Sequence, residues 1–117
     1  MNKEFNCPVE ATISLIGGKY KSVILFHLMG KTLRYSELHK KIPKATDKML
    51  AQQLRELEKD GLIKRTVYPV VPPKTEYNLT EFGESLSPIL NAMCNWGESY
   101  LILSLIHISE PTRPISI

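Results

Sequence analysis

A mostly helical α+β fold, a winged helix-turn-helix followed by a long apolar C-terminal helix, is predicted by three observations. Residues 34–65, RYSELHKKIPKATDKMLAQQLRELEKDGLIKR, carry two helical patterns separated by a tight break at Pro43-Lys44-Ala45. The apolar period then changes from helical to alternating over Leu62–Tyr68 and again over Lys74–Leu79, on either side of a proline-rich stretch. A wide apolar stripe follows, from Phe82 to Tyr100. Two short helices joined by a turn of roughly three or four residues are the layout of a helix-turn-helix. The hairpin placed directly after it is a β-wing.

The elements follow in order. CPVEATISLI (residues 7–16) reads as a short helix with Cys7 at the cap and Pro8 at the first helical position, where a missing N–H costs nothing; Gly17-Gly18 ends it. Lys19–Leu28 is the second helix, and Val23, Ile24, Phe26 and Leu28 make it too apolar for a surface element. Lys31-Thr32-Leu33 is extended or a very short strand. The next helix runs from about Ser36 to Ile42, with Tyr35, Leu38 and Ile42 on one face, and stops because a residue before proline is pushed out of the helical region. Thr46 is a good N-cap for its successor, Asp47 suits the positive end of that helix dipole, and Gly61 closes it after Asp60.

Leu62–Tyr68 is rich in β-branched residues, as strands are, whereas Pro69–Pro73 cannot keep a hydrogen-bonded ladder and forms the tip. In the returning strand Thr75, Tyr77 and Leu79 share one face. Thr80 caps a last helix with Glu81 and Glu84 in its first turn and a bend at Pro88. Phe82, Leu86, Ile89, Leu90, Met93, Trp96, Gly97 and Tyr100 form its stripe, wider than one chain's core requires. Part of it is therefore expected to pack against a second copy. Residues 1–102 make one domain; residues 103–117 (LSLIHISEPTRPISI) lose the helical pattern, resemble a read-through peptide and are expected to be a non-native or disordered tail.

Composition narrows the function classes. The chain has 117 residues, 43% hydrophobic and 23% charged, as expected of a small globular protein. No apolar run reaches the length of about 18 residues that a membrane span needs. The start MNKEFNCPVE has no apolar signal region, so a cytoplasmic location and no membrane partner are expected. Cys7 and Cys94 are too few for a disulfide scaffold. No pair among His27, His39, His107, Cys7 and Cys94 has a short metal-ligand spacing, so no metal is expected. There is no Gly-rich phosphate loop and no nucleophile elbow, which argues against an enzyme and leaves no cofactor to expect.

The net charge of +3 is unevenly spread. Between Lys31 and Arg65 there are ten Lys/Arg against five Asp/Glu, whereas from Glu81 onward four acids face one Arg. That segregation suits a polyanion-binding face with a separate assembly face. On a helical wheel of about 100° per residue, Leu50, Leu54 and Leu57 fall within about 60° of one another, with Lys48, Gln52, Arg55 and Lys59 opposite. Gln can pair with an adenine edge and Arg or Lys with guanine N7 and O6. Thr46, Lys48, Ala51, Gln52 and Arg55 are the candidate base-reading residues, Ala51 because it is small enough for close approach. Arg34, Ser36, Lys40, Lys41, Lys44, Lys64, Arg65 and Lys74 are candidates for phosphate contact.

The segments CPVEATISLIGGKYK, RYSELHKKIP, KMLAQQLRELEKDGLIKR, YPVVPPKTEYNLTEFGESL and the final Trp96-Gly97 resemble the HxlR-type winged helix-turn-helix regulators, relatives of the MarR group, over roughly residues 7–100. Tyr20 stands where that family usually has Trp, and Lys74-Thr75-Glu76-Tyr77 replaces a commoner Arg-Val-Glu-Tyr. The resemblance implies a homodimer assembled through N- and C-terminal dimerisation helices that binds a near-palindromic site on double-stranded DNA. Repression is expected as the commoner mode of a small regulator, and Phe82, Leu86, Ile89, Leu90, Met93, Trp96 and Tyr100 of the stripe are the candidate dimerisation residues. Some members sense oxidants or electrophiles through a cysteine at the start of the first helix, a position Cys7 occupies. There a sulfur meets the positive end of the helix dipole, with Lys3 close in sequence; Cys94 reads as packing. Two other readings remain: a winged-helix module for protein contact, and a regulator whose small ligand enters beside Phe82, Trp96 and Tyr100.

Overall fold

Helix α1 (Pro8–Ile16) starts as the Cys-Pro pair dictates, with Cys7 as N-cap and proline in the first turn, and ends where the Gly17 N–H reaches the Ile13 carbonyl at 2.7 Å. The computed structural model describes residues 4–106, so Lys3 and His107 lie outside the described residues. Helix α2 (Lys21–Leu28) begins two residues after Lys19. Its N-cap Tyr20 has no side-chain cap, and its backbone N–H is taken instead by the Gln53 side chain at 3.0 Å. Ile24, Leu25 and Leu28 are fully buried, whereas Val23, expected inside, is exposed.

Strand β1 (Thr32–Arg34) leads directly into α3 (Tyr35–Lys41), whose first turn is held by the Glu37 carboxylate accepting the Arg34 N–H at 2.8 Å. After a turn in which Ile42 and Ala45 are buried, Thr46 caps α4 (Asp47–Lys59) by accepting the Met49 N–H at 3.1 Å. Leu50, Leu54 and Leu57 form the buried face of α4. Gly61 then turns the chain with φ of 79°, a left-handed value that favours glycine.

Strands β2 (Ile63–Tyr68) and β3 (Lys74–Leu79) pair antiparallel from Ile63↔Leu79 to Tyr68↔Lys74. The tip between them holds a cis Val71–Pro72 peptide and leaves Val71 99% exposed. Strand β1 pairs with the other side of β3, giving the sheet order β1-β3-β2 with β2 as an outer strand. Tyr77 and Leu79 are buried on the face shared with Thr75. Helices α2 and α4 both lie against this sheet. The hairpin is therefore fastened to the helix-turn-helix by its inner face.

The chain after β3 departs from the expected single bent helix. Thr80 donates to the Gly61 carbonyl at 2.6 Å and accepts the Gly83 N–H at 3.0 Å, starting the short α5 (Glu81–Glu84) beside the end of α4. A Cβ on Gly83 would run into the Leu62 carbonyl, so this docking requires glycine. A tight turn follows, in which Ser85 N–H is shared between the Glu81 and Phe82 carbonyls and Leu86 N–H reaches Gly83. A new helix, α6 (Ser87–Ile106), then begins. Proline is the cause: Pro88 would break a helix running through it, but at the second position of a fresh one its missing N–H is harmless.

Helix α6 also runs to Ile106, through Leu103-Ser104-Leu105-Ile106, where the helical pattern was expected to fail. Those residues are compatible with a helix, and the next proline comes only at Pro111. The rest of the expected tail lies outside the described residues. The chain divides into two compact units, Met1–Ser87 and Pro88–Ile117, a boundary inside the stretch expected to be one domain. No helix among the described residues is long and apolar enough to cross a membrane.

Candidate nucleic-acid interface

Five of the residues singled out for base reading sit at the cap or on the outer side of α4. Thr46, Lys48, Gln52 and Arg55 are exposed, and Ala51 is half-buried at the flank. Because Leu50, Leu54 and Leu57 bind the opposite face into the core, the helix cannot rotate to bring another set outward.

The candidate phosphate residues fall into three groups, two along grooves and one beside neither. Arg34, Tyr35 and Ser36, at the start of α3, form one wall of an open groove of about 510 Å³ whose other wall is the wing from Val70 to Thr75, including Lys74. A second groove, of about 370 Å³, runs between α4 and the hairpin and is lined by Ala51, Leu54, Arg55, Glu58, Arg65 and Tyr77. Lys40 and Lys41 at the end of α3, Lys44 in the turn and Lys64 on β2 are exposed but line neither groove.

Not every cation is free. Lys74 Nζ lies 3.3 Å from Glu76 Oε2 and 5.1 Å from the centre of the Tyr68 ring. The Tyr68 hydroxyl, and after it Lys74, hold the Glu76 carboxyl below its usual range. Arg65 Nε is 3.5 Å from Glu58 Oε1. At the far ends of α2 and α3 the cations crowd one another: partial burial, then Lys41 and Lys31, push His27 below its ordinary value.

Two networks escaped sequence reasoning. In the first, the Tyr35 hydroxyl donates to Asp47 Oδ1 at 2.7 Å, and His39 Nδ1 lies 3.1 Å from the same oxygen. His39 Nε2 also faces the Ala45 carbonyl at 2.8 Å, so both ring nitrogens meet oxygen acceptors. This brace spans the turn and ties α3 to the start of α4. Burial, then the bond to Asp47, raises the Tyr35 hydroxyl to about 12. The four-residue spacing of Tyr35 and His39 was a usable signal.

The second network joins α4 to α2. Lys21 is 8% exposed, and its Nζ lies 2.7 Å from Glu56 Oε1. The Gln52 amide donates to the other oxygen, Glu56 Oε2, at 3.2 Å. Lys21 first and Gln52 second keep the Glu56 carboxyl below its usual range. The four-residue spacing of Gln52 and Glu56 is visible in sequence, but nothing in it marks Lys21 as buried.

The residues expected on the dimerisation side divide. Leu86 and Leu90 are buried, at 9% and 2% exposure, which removes them from an outward stripe. Phe82, Ile89, Met93, Trp96 and Tyr100 are exposed, as are Leu101, Ile102 and Leu105 further along α6. Trp96 and Tyr100 stack with their ring centres 5.7 Å apart. Cys94, expected to pack, is exposed, and so is Cys7 at the start of α1. Among the described residues no cluster of His, Cys, Asp and Glu could hold a metal ion.

Comparison with known proteins agrees with this architecture. Residues 15–104 match the family described as HxlR-like helix-turn-helix. Over 94 residues the chain is 54% identical to the uncharacterised HTH-type transcriptional regulator YdeP of Bacillus subtilis (strain 168), covering 80% of this chain and 73% of that protein. Among solved structures, the redox regulator HypR in its oxidised form shares 50% identity with a TM-score of 0.76, over 80% of this chain and 96% of that one. The crystal structure of the HTH-type regulator YtcD shares 54% identity with a TM-score of 0.75, over 81% and 97%. With its wing, its two-helix motif and a family match over most of its length, this chain belongs to the HxlR-like helix-turn-helix family and is a transcriptional regulator of helix-turn-helix type, not an enzyme.

Proposed function

We propose that the protein represses transcription by binding a near-palindromic operator on double-stranded DNA as a homodimer, with α4 in the major groove. The observation that carries this reading is the outer face of α4: Lys48, Gln52 and Arg55 are exposed on a helix whose other side is locked into the core. Thr46 and Ala51 complete the reading set, while Arg34, Ser36, Lys40, Lys41, Lys44, Lys64, Arg65 and Lys74 supply phosphate contacts around it. The exposed apolar residues of α6 support a two-fold partner, because a single chain leaves Ile89, Met93, Trp96 and Tyr100 in water.

The test is a gel-shift with DNA from upstream of the protein's own gene. Binding is expected at nanomolar protein and is expected to fall steeply with salt. Lys48→Ala and Arg55→Ala should weaken it and change sequence preference; unchanged affinity and preference in both would remove α4 from the interface. Tight binding to a protein partner with no salt-dependent DNA binding would favour a protein-contact module instead.

Cys7 is the proposed control point. Its side chain makes no cap bond and is exposed at the start of α1, and a close structural relative is a redox regulator. DNA binding by the wild type and by Cys7→Ser is to be compared before and after a quinone or hypochlorite. Loss of binding in the wild type alone is expected, and identical responses would end the idea.

A further inference from the structure

Helix α4 presents an outward glutamine whose amide is already spoken for on one side. Gln52 Nε2 lies 3.2 Å from Glu56 Oε2, and a carboxylate has no hydrogen to give, so the amide nitrogen must be the donor. That contact fixes which end of the Gln52 amide faces Glu56. One N–H is used, and the carbonyl oxygen and the second N–H remain. An adenine edge in the major groove asks for that combination, an acceptor for its N6 amino group and a donor for N7. Turning the amide over would set its oxygen against the carboxylate.

Glu56 would be a loose anchor by itself, since its side chain is 41% exposed. It is held by Lys21 on α2, whose ammonium approaches the other carboxylate oxygen at 2.7 Å and whose side chain is only 11% exposed. A lysine stem buried to that degree cannot swing away to follow a mobile partner. The neighbouring Gln53 takes the Tyr20 N–H at 3.0 Å, so the same two elements are joined a second time one residue from Gln52. A rigid support behind a reading residue is what converts a flexible side chain into a selective one.

We propose that Lys21 and Glu56 are positioning residues that hold the Gln52 amide in the orientation that selects adenine. This rests on the reading of α4 as the DNA-contacting helix. Neither residue touches the base. Their effect is confined to the base pair that Gln52 meets and leaves the rest of the operator untouched.

The experiment is selection from a randomised duplex library with the full-length protein, repeated with Gln52→Ala, Lys21→Met, Lys21→Arg, Glu56→Ala and the double variant Lys21→Met/Gln52→Ala. Wild type is expected to prefer adenine at one position per half-site by about tenfold or more, the range of a good two-bond side-chain contact. Gln52→Ala should abolish the preference there and nowhere else. Lys21→Met and Glu56→Ala should bring it to within about threefold of no preference while leaving the other positions intact, Lys21→Arg should restore it, and Lys21→Met should add nothing in the Gln52→Ala background. Glu56→Ala lies at a partly exposed helix position and tests the same link should Lys21→Met unfold the chain.

Full adenine selectivity in both Lys21→Met and Glu56→Ala would overturn the proposal. So would an equal loss of preference at every position, which is the signature of a misfolded helix, or a Gln52→Ala profile identical to wild type. A wild-type selection that enriches no sequence at all overturns the DNA-binding reading beneath it, and is told apart from the others because no variant is needed to see it.

Discussion

Helices α4 and α6 are both amphipathic problems with different solutions. In α4 the apolar side chains lie in one stripe, and Leu50, Leu54 and Leu57 are buried within the chain that carries them. What remains outward is charged or amide-bearing and already content in water. In α6 the apolar residues go most of the way round, and Ile89, Met93, Trp96, Tyr100, Leu101, Ile102 and Leu105 all stay exposed. Helix α4 is finished as a piece of structure and is free to be spent on recognition; α6 gains stability only when something apolar covers it. The difference teaches which surface the fold satisfies by itself and which it leaves facing water.

Five substitutions sharpen that contrast; apart from Lys48→Ala, the surface control for Leu54→Ala, they run in falling order of effect. Leu54→Ala removes a side chain that is 2% exposed and should destabilise the chain by about 2–5 kcal/mol in urea unfolding. Lys48→Ala, on the opposite side of the same helix, should stay within about 0.5 kcal/mol of wild type. If the two cost the same, α4 is not packed as described. Trp96→Ala on α6 should shift the monomer–dimer equilibrium in sedimentation by about thirtyfold or more, the loss of one aromatic anchor worth about 2 kcal/mol. An unshifted equilibrium would mean that the exposed stripe is not an assembly surface.

Thr46→Ala removes the side chain that accepts the Met49 N–H and should lower stability by about 1 kcal/mol, most of it local to the start of α4. The smallest effect is on alkaline pH. The Tyr35 hydroxyl is raised from its usual 10.0 to about 12, so in this interval the unfolded chain gives up its proton first. Its contribution to stability is therefore complete below pH 10 and declines as pH climbs from 10 to about 12. Tyr35→Phe should flatten that alkaline limb in a thermal-unfolding series, and a limb of unchanged slope would separate Tyr35 from it.

Much of this was readable beforehand, and the pattern of success has a cause. The helix-turn-helix and the wing announce themselves locally: a cap at Thr46, a proline turn at Pro43, a glycine stop at Gly61 and a change of period after it are all short-range signals. The failures are long-range. That β1 pairs with β3, or that Gly83 lies against the Leu62 carbonyl, depends on residues far apart in the chain. Lysine is ordinarily a surface residue, so Lys21 could be recognised as buried only once Glu56 was seen beside it. Leu86 and Leu90 joined the outward stripe on spacing alone, because spacing does not say which half of a wide stripe turns inward. The break between α5 and α6 was signalled by Pro88, but a kink and a restart share that signal.

The order β1-β3-β2 leaves the wing's outer strand with a row of backbone groups unpaired along one side. A bare strand edge of this sort is an invitation to zip onto another chain and aggregate. Strand β2 declines it by its sequence: Lys64 and Arg65 stand exposed on it, and Pro69 ends it immediately after Tyr68. Two copies laid edge to edge would set cation against cation. The positive charges placed where a polyanion would be welcome thus also guard an open strand edge against pairing with its own kind.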